Sequence, residues 1–205
     1  MKRFLHGTVC LFCLSTTVFL IGCNPLPQSS EMEPIADAEA AVRIVPGTEP
    51  SDQQRSAIVA AKDALFQRLS ERLMEAMMTQ GPAQAIAVCQ KEATQIANEV
   101  GDEHKLSIGR LGVRLRNPEN TGPAWAAALI EAKSETPVFT TLSNGNAAAL
   151  LPIKLQSQCL MCHGPSEQIS PDIQSQLAEL YPGDQAVGFN EGELRGWFWV
   201  ETPQS

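Results

Sequence analysis

Residues 136–164 read TPVFTTLSNGNAAALLPIKLQSQCLMCHG, and the fold and the chemistry meet in this stretch. The segments PVFTTL (137–142) and ALLPIKL (149–155) are apolar, and the first is rich in β-branched residues; Asn144-Gly145-Asn146 between them is turn chemistry. They read as two strands of an antiparallel sheet. The second runs almost directly into Cys159-x-x-Cys162-His163. A Cys-x-x-Cys pair alone would serve a redox disulfide or half of a zinc site. With a histidine immediately after the second cysteine, it becomes the attachment site of a c-type haem: both thiols add to the porphyrin vinyl groups and His163 ligates the iron.

Working outward, RGWFWVET (195–202) is a further strand, set off by turn residues at Gly183-Asp184. Toward the N-terminus, Ser51 and Asp52 offer N-cap chemistry. Ile58, Ala61, Leu65, Leu69, Leu73 and Met77 then recur at helical steps until Gly81-Pro82. A second helix is expected from Pro82, with Ile86, Cys89, Ala93, Ile96, Ala97 and Val100 on one stripe and Gly101 ending it. That stripe puts Cys89 on a buried face. PAWAAALIEAKS (123–134) suggests a third, shorter helix with Trp125, Leu129 and Ala132 facing inward. Helices first and strands afterwards predict an α+β fold, N-terminal helices packed on a small antiparallel sheet.

The compartment is written at the other end. MKRFLHGTVCLFCLSTTVFLIGC opens with Lys2 and Arg3, continues with a short apolar run, and closes on Leu20-Ile21-Gly22 before Cys23. It reads as a signal peptide over 1–22 whose end resembles a bacterial lipobox, so that Cys23 becomes the lipid-bearing first residue of the mature chain. Pro, Ser and acidic residues over 23–50 read as a flexible tether, leaving 51–205 as one haem domain. Haem is attached to such proteins only after export, so leader and motif support each other; a zinc knuckle would need no leader. The chain carries 15 Lys+Arg against 23 Asp+Glu, a net charge of −8. A basic nucleic-acid footprint is absent, and membrane contact is expected through the acyl chains rather than through charge. Asn24 is not the aspartate that resembles an inner-membrane retention signal, so the expected location is the cell envelope, on the periplasmic face of the outer membrane.

IGRLGVRLRNPENTGPAW, CLMCHG, YPGDQAVGFNEGELRGWFWV and AIAVCQKEATQIA together resemble a bacterial family of single-haem c-type domains with a PAS-like fold, formerly a domain of unknown function. The resemblance covers roughly 55–202 and rests mainly on Arg116-Asn117-Pro118 and on Tyr181-Pro-x-Asp-x-Ala-x-Gly188. Thr121-Gly122 adds a residue before Pro123, and Ala126 stands where the family pattern has an acid. The resemblance implies one covalently attached haem c, and it carries the role of distal iron ligand onto the helix cysteine, Cys89.

The residues themselves leave alternatives. Cys10 and Cys13 leave with the leader, Cys23 is lipidated, and Cys159 and Cys162 enter thioethers, so Cys89 remains as a lone thiol, either a small buried hydrophobe or a ligand. His104 lies in a polar connection and competes for the iron. Met74, Met77 and Met78 read as core, and Met161 is confined within the motif. Arg110, Arg114 and Arg116 suit the propionate carboxylates, with Arg116 and Asn117 favoured because they lie in the signature. Tyr181 and Arg195 are expected on the pocket wall. Three functions follow: a redox or small-ligand sensor in which the Cys89 thiolate is exchanged, a low-potential electron-transfer cytochrome, and a haem enzyme such as a peroxidase. No signalling segment follows WFWVETPQS, so a signal is expected to pass to a separate redox or signalling protein partner.

Overall fold

The computed structural model describes residues 41–204. The leader, Cys23 and the first part of the tether lie outside the described residues. The elements run β1 (Ile44–Val45), α1 (Asp52–Gln80), α2 (Pro82–Lys91), α3 (Ala93–His104), β2 (Ser107–Gly112), α4 (Ala127–Glu131), β3 (Val138–Leu142), β4 (Ala147–Lys154), α5 (Leu160–His163), α6 (Pro171–Leu180) and β5 (Leu194–Thr202). The strands form one antiparallel sheet in the order β1-β3-β4-β5-β2. This is the α+β, PAS-like architecture expected from the sequence.

Both faces of the sheet are covered, which is why β4 is continuously apolar rather than alternating. Ala147, Ala149 and Leu151 of β4, with Phe198 and Val200 of β5, face Ile58, Ala61 and Leu65 of α1 and Ala97 and Val100 of α3. Ala148, Leu150 and Trp197 point the other way, onto Leu111, Trp125, Ala126 and Leu142. The period of two in the strands thus meets the period of three to four in the helices. Trp197 is fully buried, and its indole N–H donates to Ser134 O at 2.6 Å.

Helix α1 begins as its sequence dictates. Ser51 Oγ accepts from the Gln54 N–H, and the Gln54 side chain reaches back to the Ser51 N–H, a capping box. It ends at Gly81, whose φ of 89° suits glycine, and Pro82 starts α2 at the first helical position, where no N–H is needed.

Three expectations need correcting. The single helix expected from Pro82 to Gly101 is two. Its stripe breaks at Glu92, whose carboxylate takes a two-pronged bond from Arg72 of α1 at 2.7 and 2.9 Å. Gly101 lies inside α3, at a place where a Cβ would lie 2.8 Å from Leu106 O, and Lys105, at φ 55°, is the left-handed residue that ends the helix. The expected tether also ends early: Ile44 and Val45 pair with Leu142 and Thr141 at the sheet edge. Finally, Met74 and Met78 are exposed rather than core, and Ala76 is the buried residue of that turn.

β2 and α6 were not expected. β2 hides because Gly109, Arg110 and Gly112 interrupt its apolar alternation. Gly109 is required there, since the Trp199 ring lies 2.6 Å from where its Cβ would stand. The small helix α6 sets Ile173 and Leu177 against Ile86 of α2 and Tyr181, and this packing places α2 beside the cysteine motif.

Candidate functional site

After β4 the chain passes through Leu155 into the motif, and α5 is a single helical turn that carries Leu160 to His163. Gly164 closes that turn: its N–H donates to Leu160 O at 2.8 Å, and a Cβ on it would lie 2.6 Å from the same oxygen. Cys159 and Cys162 are half-buried thiols, not joined to each other or to Cys89. Burial pushes the Cys162 thiol above its ordinary range, against the opposing pull of Arg116.

The loop 181–190 returns over the motif and fixes it through backbone groups. The Gly188 N–H donates to Gly164 O at 2.7 Å and the Phe189 N–H to His163 O at 3.0 Å. His163 Nδ1 lies 2.7 Å from Ala186 O. A carbonyl can only accept, so Nδ1 carries the proton and Nε2 keeps its lone pair. Behind this bond, Asp184 accepts from the Ala186 N–H at 2.7 Å and from Arg116 Nε at 3.0 Å, while Arg116 Nη2 donates to Cys162 O at 2.6 Å. The Arg116 and Asp184 side chains are each 10% exposed. Arg116 is therefore bound to the motif's backbone and to the Asp184 carboxylate, which gives it a positioning task.

These residues border a cavity of about 270 Å³. Its walls come from the end of α1 (Leu73, Met77), α2 (Ala85, Ile86, Cys89), β2 (Arg110, Leu111), the segment that holds Leu115, Arg116, Asn117 and Asn120, the motif (Cys159, Met161, Cys162, His163), and Tyr181 and Arg195. The expected residues Cys89, Cys159, Cys162, His163, Arg116 and Asn117 are thus gathered on one cavity, as are Arg110, Tyr181 and Arg195. His104 is not: it ends α3, away from the lining. Arg114 lies outside the lining too, its guanidinium 3.7 Å from the centroid of the Phe189 ring. Asn117 Oδ1 accepts from the Glu119 N–H at 3.0 Å and shapes the turn.

Cys89 departs from expectation in one respect. It is exposed, opening on the cavity, while its neighbours Ala85, Ile86 and Val88 carry the buried face of α2. With the helix ended at Lys91, the stripe that would have buried it does not continue. Cys89 nonetheless lies close enough to act on Tyr181, Cys162 and Arg110. Burial, reinforced by Cys89, pushes the Tyr181 phenol up to about 12, so it stays a neutral donor. Burial, with Arg116 and Arg195 nearby, drives His163 down to about 3, so its imidazole is neutral and available as a ligand.

Missed by sequence reasoning were the Asp184–Arg116 pair, the Ala186 carbonyl and the lining by Leu73 and Met77. Asp184 and Ala186 stood in the YPGDQAVG signature, but nothing in their spacing reveals that they orient a histidine.

Fold and site together define a PAS-like α+β domain whose cysteine-histidine motif borders an apolar, arginine-bearing cavity. The chain belongs to the Tll0287-like family, which residues 40–203 match. Among solved structures it is similar to the crystal structure of the cyanobacterial heme-protein Tll0287, with TM-score 0.55, 21% identity, and coverage of 76% of this chain and 98% of that one. That likeness is one of fold. No curated protein matches the chain.

Proposed function

We propose that this protein holds one haem c, to which Cys159 and Cys162 would be joined by thioethers and whose iron His163 and Cys89 would ligate, and works as a redox or small-ligand sensor. The carrying observation is that Cys89 and the Cys159-Cys162-His163 segment border the same cavity. Among the described residues no group of three or more His, Cys, Asp and Glu is arranged to hold a bare metal ion. One imidazole and one thiol on a largely apolar cavity suit an iron already held by four porphyrin nitrogens, which needs only two more donors. When bound, haem would supply one-electron chemistry and a coordination position that can be exchanged. The chain's own part is to present a neutral His163 nitrogen, anchor the porphyrin and exclude water.

The sensor reading draws on α2. This ten-residue helix is set between a left-handed glycine, Gly81, and the break at Glu92, so the segment carrying Cys89 is marked off at both ends. A low-potential electron carrier is the second reading, favoured by Met161, which is 41% exposed and brings the motif to the surface, where a redox partner can approach. Peroxidase-like catalysis ranks third, because His104 does not reach the cavity to act as an acid or base. Lipid at Cys23 would anchor the domain to the periplasmic face of the envelope. Among the described residues no helix is long and apolar enough to cross a membrane.

The test is an electronic spectrum with a redox titration on the full chain. Haem retained through a denaturing gel and a low-spin, thiolate-type ferric spectrum are expected. Loss of a ligand on reduction supports the sensor, low spin in both states the carrier, and a high-spin resting iron catalysis. Haem released from the chain by acid and organic solvent would sink the covalent assignment.

A further inference from the structure

The cavity is unbalanced in charge. Its lining includes Arg110, Arg116 and Arg195 and no aspartate or glutamate, although acids outnumber bases in the chain as a whole. Arg116 is matched by Asp184. Among the described residues no carboxylate pairs with Arg110 or Arg195. Guanidinium groups withdrawn from bulk water without a counter-charge are costly, and they persist where an anion completes them.

Arg195 is also placed by a device rather than by chance. Ile153 pairs with Gly196 and Lys154 with Leu194, so Arg195 is the extra residue of a β-bulge, a distortion that re-aims side chains beside functional sites. Its guanidinium then crosses β2 at Gly112, where a Cβ would stand 2.4 Å from Arg195 Nη1, and donates to Arg114 O at 3.0 Å. That single backbone bond leaves most of its donor fork unspent.

We propose that Arg110 and Arg195 form the anion-binding end of the cavity and receive a pair of carboxylates on its ligand. Resting on the haem reading above, these are the two propionates. Guanidinium suits them because its planar fork matches a carboxylate with two parallel bonds. Burial, followed by repulsion from Arg116 and Arg110, holds Arg195 down at about 10, and burial lowers Arg110 as well.

The experiment uses the holoprotein and reads the propionate bending bands by resonance Raman, together with haem retention on a denaturing gel. Arg110→Gln and Arg195→Gln should each keep the covalent haem and shift the bands, Arg110→Lys and Arg195→Lys should shift them less, and exposed Arg43→Gln should leave them unchanged. If a Gln variant does not accumulate, the Lys variant at the same position carries the test, because it keeps the charge and loses only the fork. Unchanged bands in the variants of both arginines, with haem attached, would overturn the proposal. So would a band shift on adding inorganic phosphate to the wild-type holoprotein, which would show the arginines open to an external anion. A wild-type chain that loses its haem on the gel fails the covalent reading instead.

Discussion

His163 and Ala186, 23 residues apart in the chain, meet through a 2.7 Å bond from the imidazole Nδ1–H to the backbone carbonyl. Ala186 is held in turn through its N–H, which donates to Asp184, and through its carbonyl, which accepts from Arg116, so the orientation of one ring depends on a loop and on the segment beyond β2, both far from it in sequence. Such outer partners fix the tautomer of a metal-binding histidine and raise its donor strength.

Removing Asp184 should therefore do two things. Asp184→Ala strands a 10%-exposed guanidinium, and breaking a buried pair from one side costs about 3–5 kcal/mol, to be read from urea denaturation. In the holoprotein it should also loosen the His163–iron bond, visible as a lower-frequency iron–histidine stretch in the reduced form. Full retention of both quantities would reduce the pair to a surface ornament.

Cys89→Ala should leave haem attached, because attachment depends on Cys159 and Cys162, yet convert a low-spin ferric spectrum into a high-spin or water-ligated one and raise the reduction potential. His104→Ala should change little, since His104 ends α3 away from the cavity. The reverse pattern would make the protein a bis-histidine cytochrome and Cys89 a bystander.

Gly196→Ala should destabilise the sheet. Gly196 pairs with Gly112, and a Cβ on it would stand 2.0 Å from Leu111 O, an overlap only backbone movement can relieve. Overpacking of this kind costs about 1–3 kcal/mol, measurable as a lower urea midpoint. Because Arg195 is the bulge residue beside it, the variant should also disturb the arginine-bearing end of the cavity.

Stability should respond to acid through the link between α1 and α3. Arg68 donates to both oxygens of Glu103 at 2.9 and 2.5 Å, and this bond holds the Glu103 carboxyl below its ordinary 4.5. The folded value lies below the unfolded one, so the stabilisation is present above about pH 4.5 and fades as pH falls through the folded value. Both groups are exposed, so the effect is small. Wild type and Glu103→Gln should differ slightly in Tm near neutrality and draw together as the pH falls below about 4.5; a difference independent of pH would show that the ion pair contributes nothing.

The sequence was most informative where one residue type has one physical use. Ser51 as an N-cap, Gly81-Pro82, and the strand-forming residues of 137–142 and 195–202 have few structural interpretations, and the corresponding elements lie where they read. The motif residues and Cys89 were legible as a set, because cysteines are few. What stayed hidden depends on distant partners. Glu92, at the seam between α2 and α3, is paired with Arg72 one helix away; β2 is a strand through its pairing with β5, on which Trp199 leaves room only for Gly109; Arg116 serves Asp184 because a loop 68 residues downstream comes back to it. None of these relationships has a local period to read.

The two-residue strand β1 occupies the edge of the sheet opposite β2. It shields the outer side of β3 through Ile44 and Val45, and the Ser143 N–H bonds Arg43 O just beyond. A fragment starting after Val45 would bare the backbone groups of Thr141 to Ser143 and lengthen the open edge of β3, an invitation to strand-to-strand polymerisation. A few residues thus act as a selvage that keeps the cloth from fraying, and expression of the shortened domain would be limited by aggregation before its chemistry could be assayed.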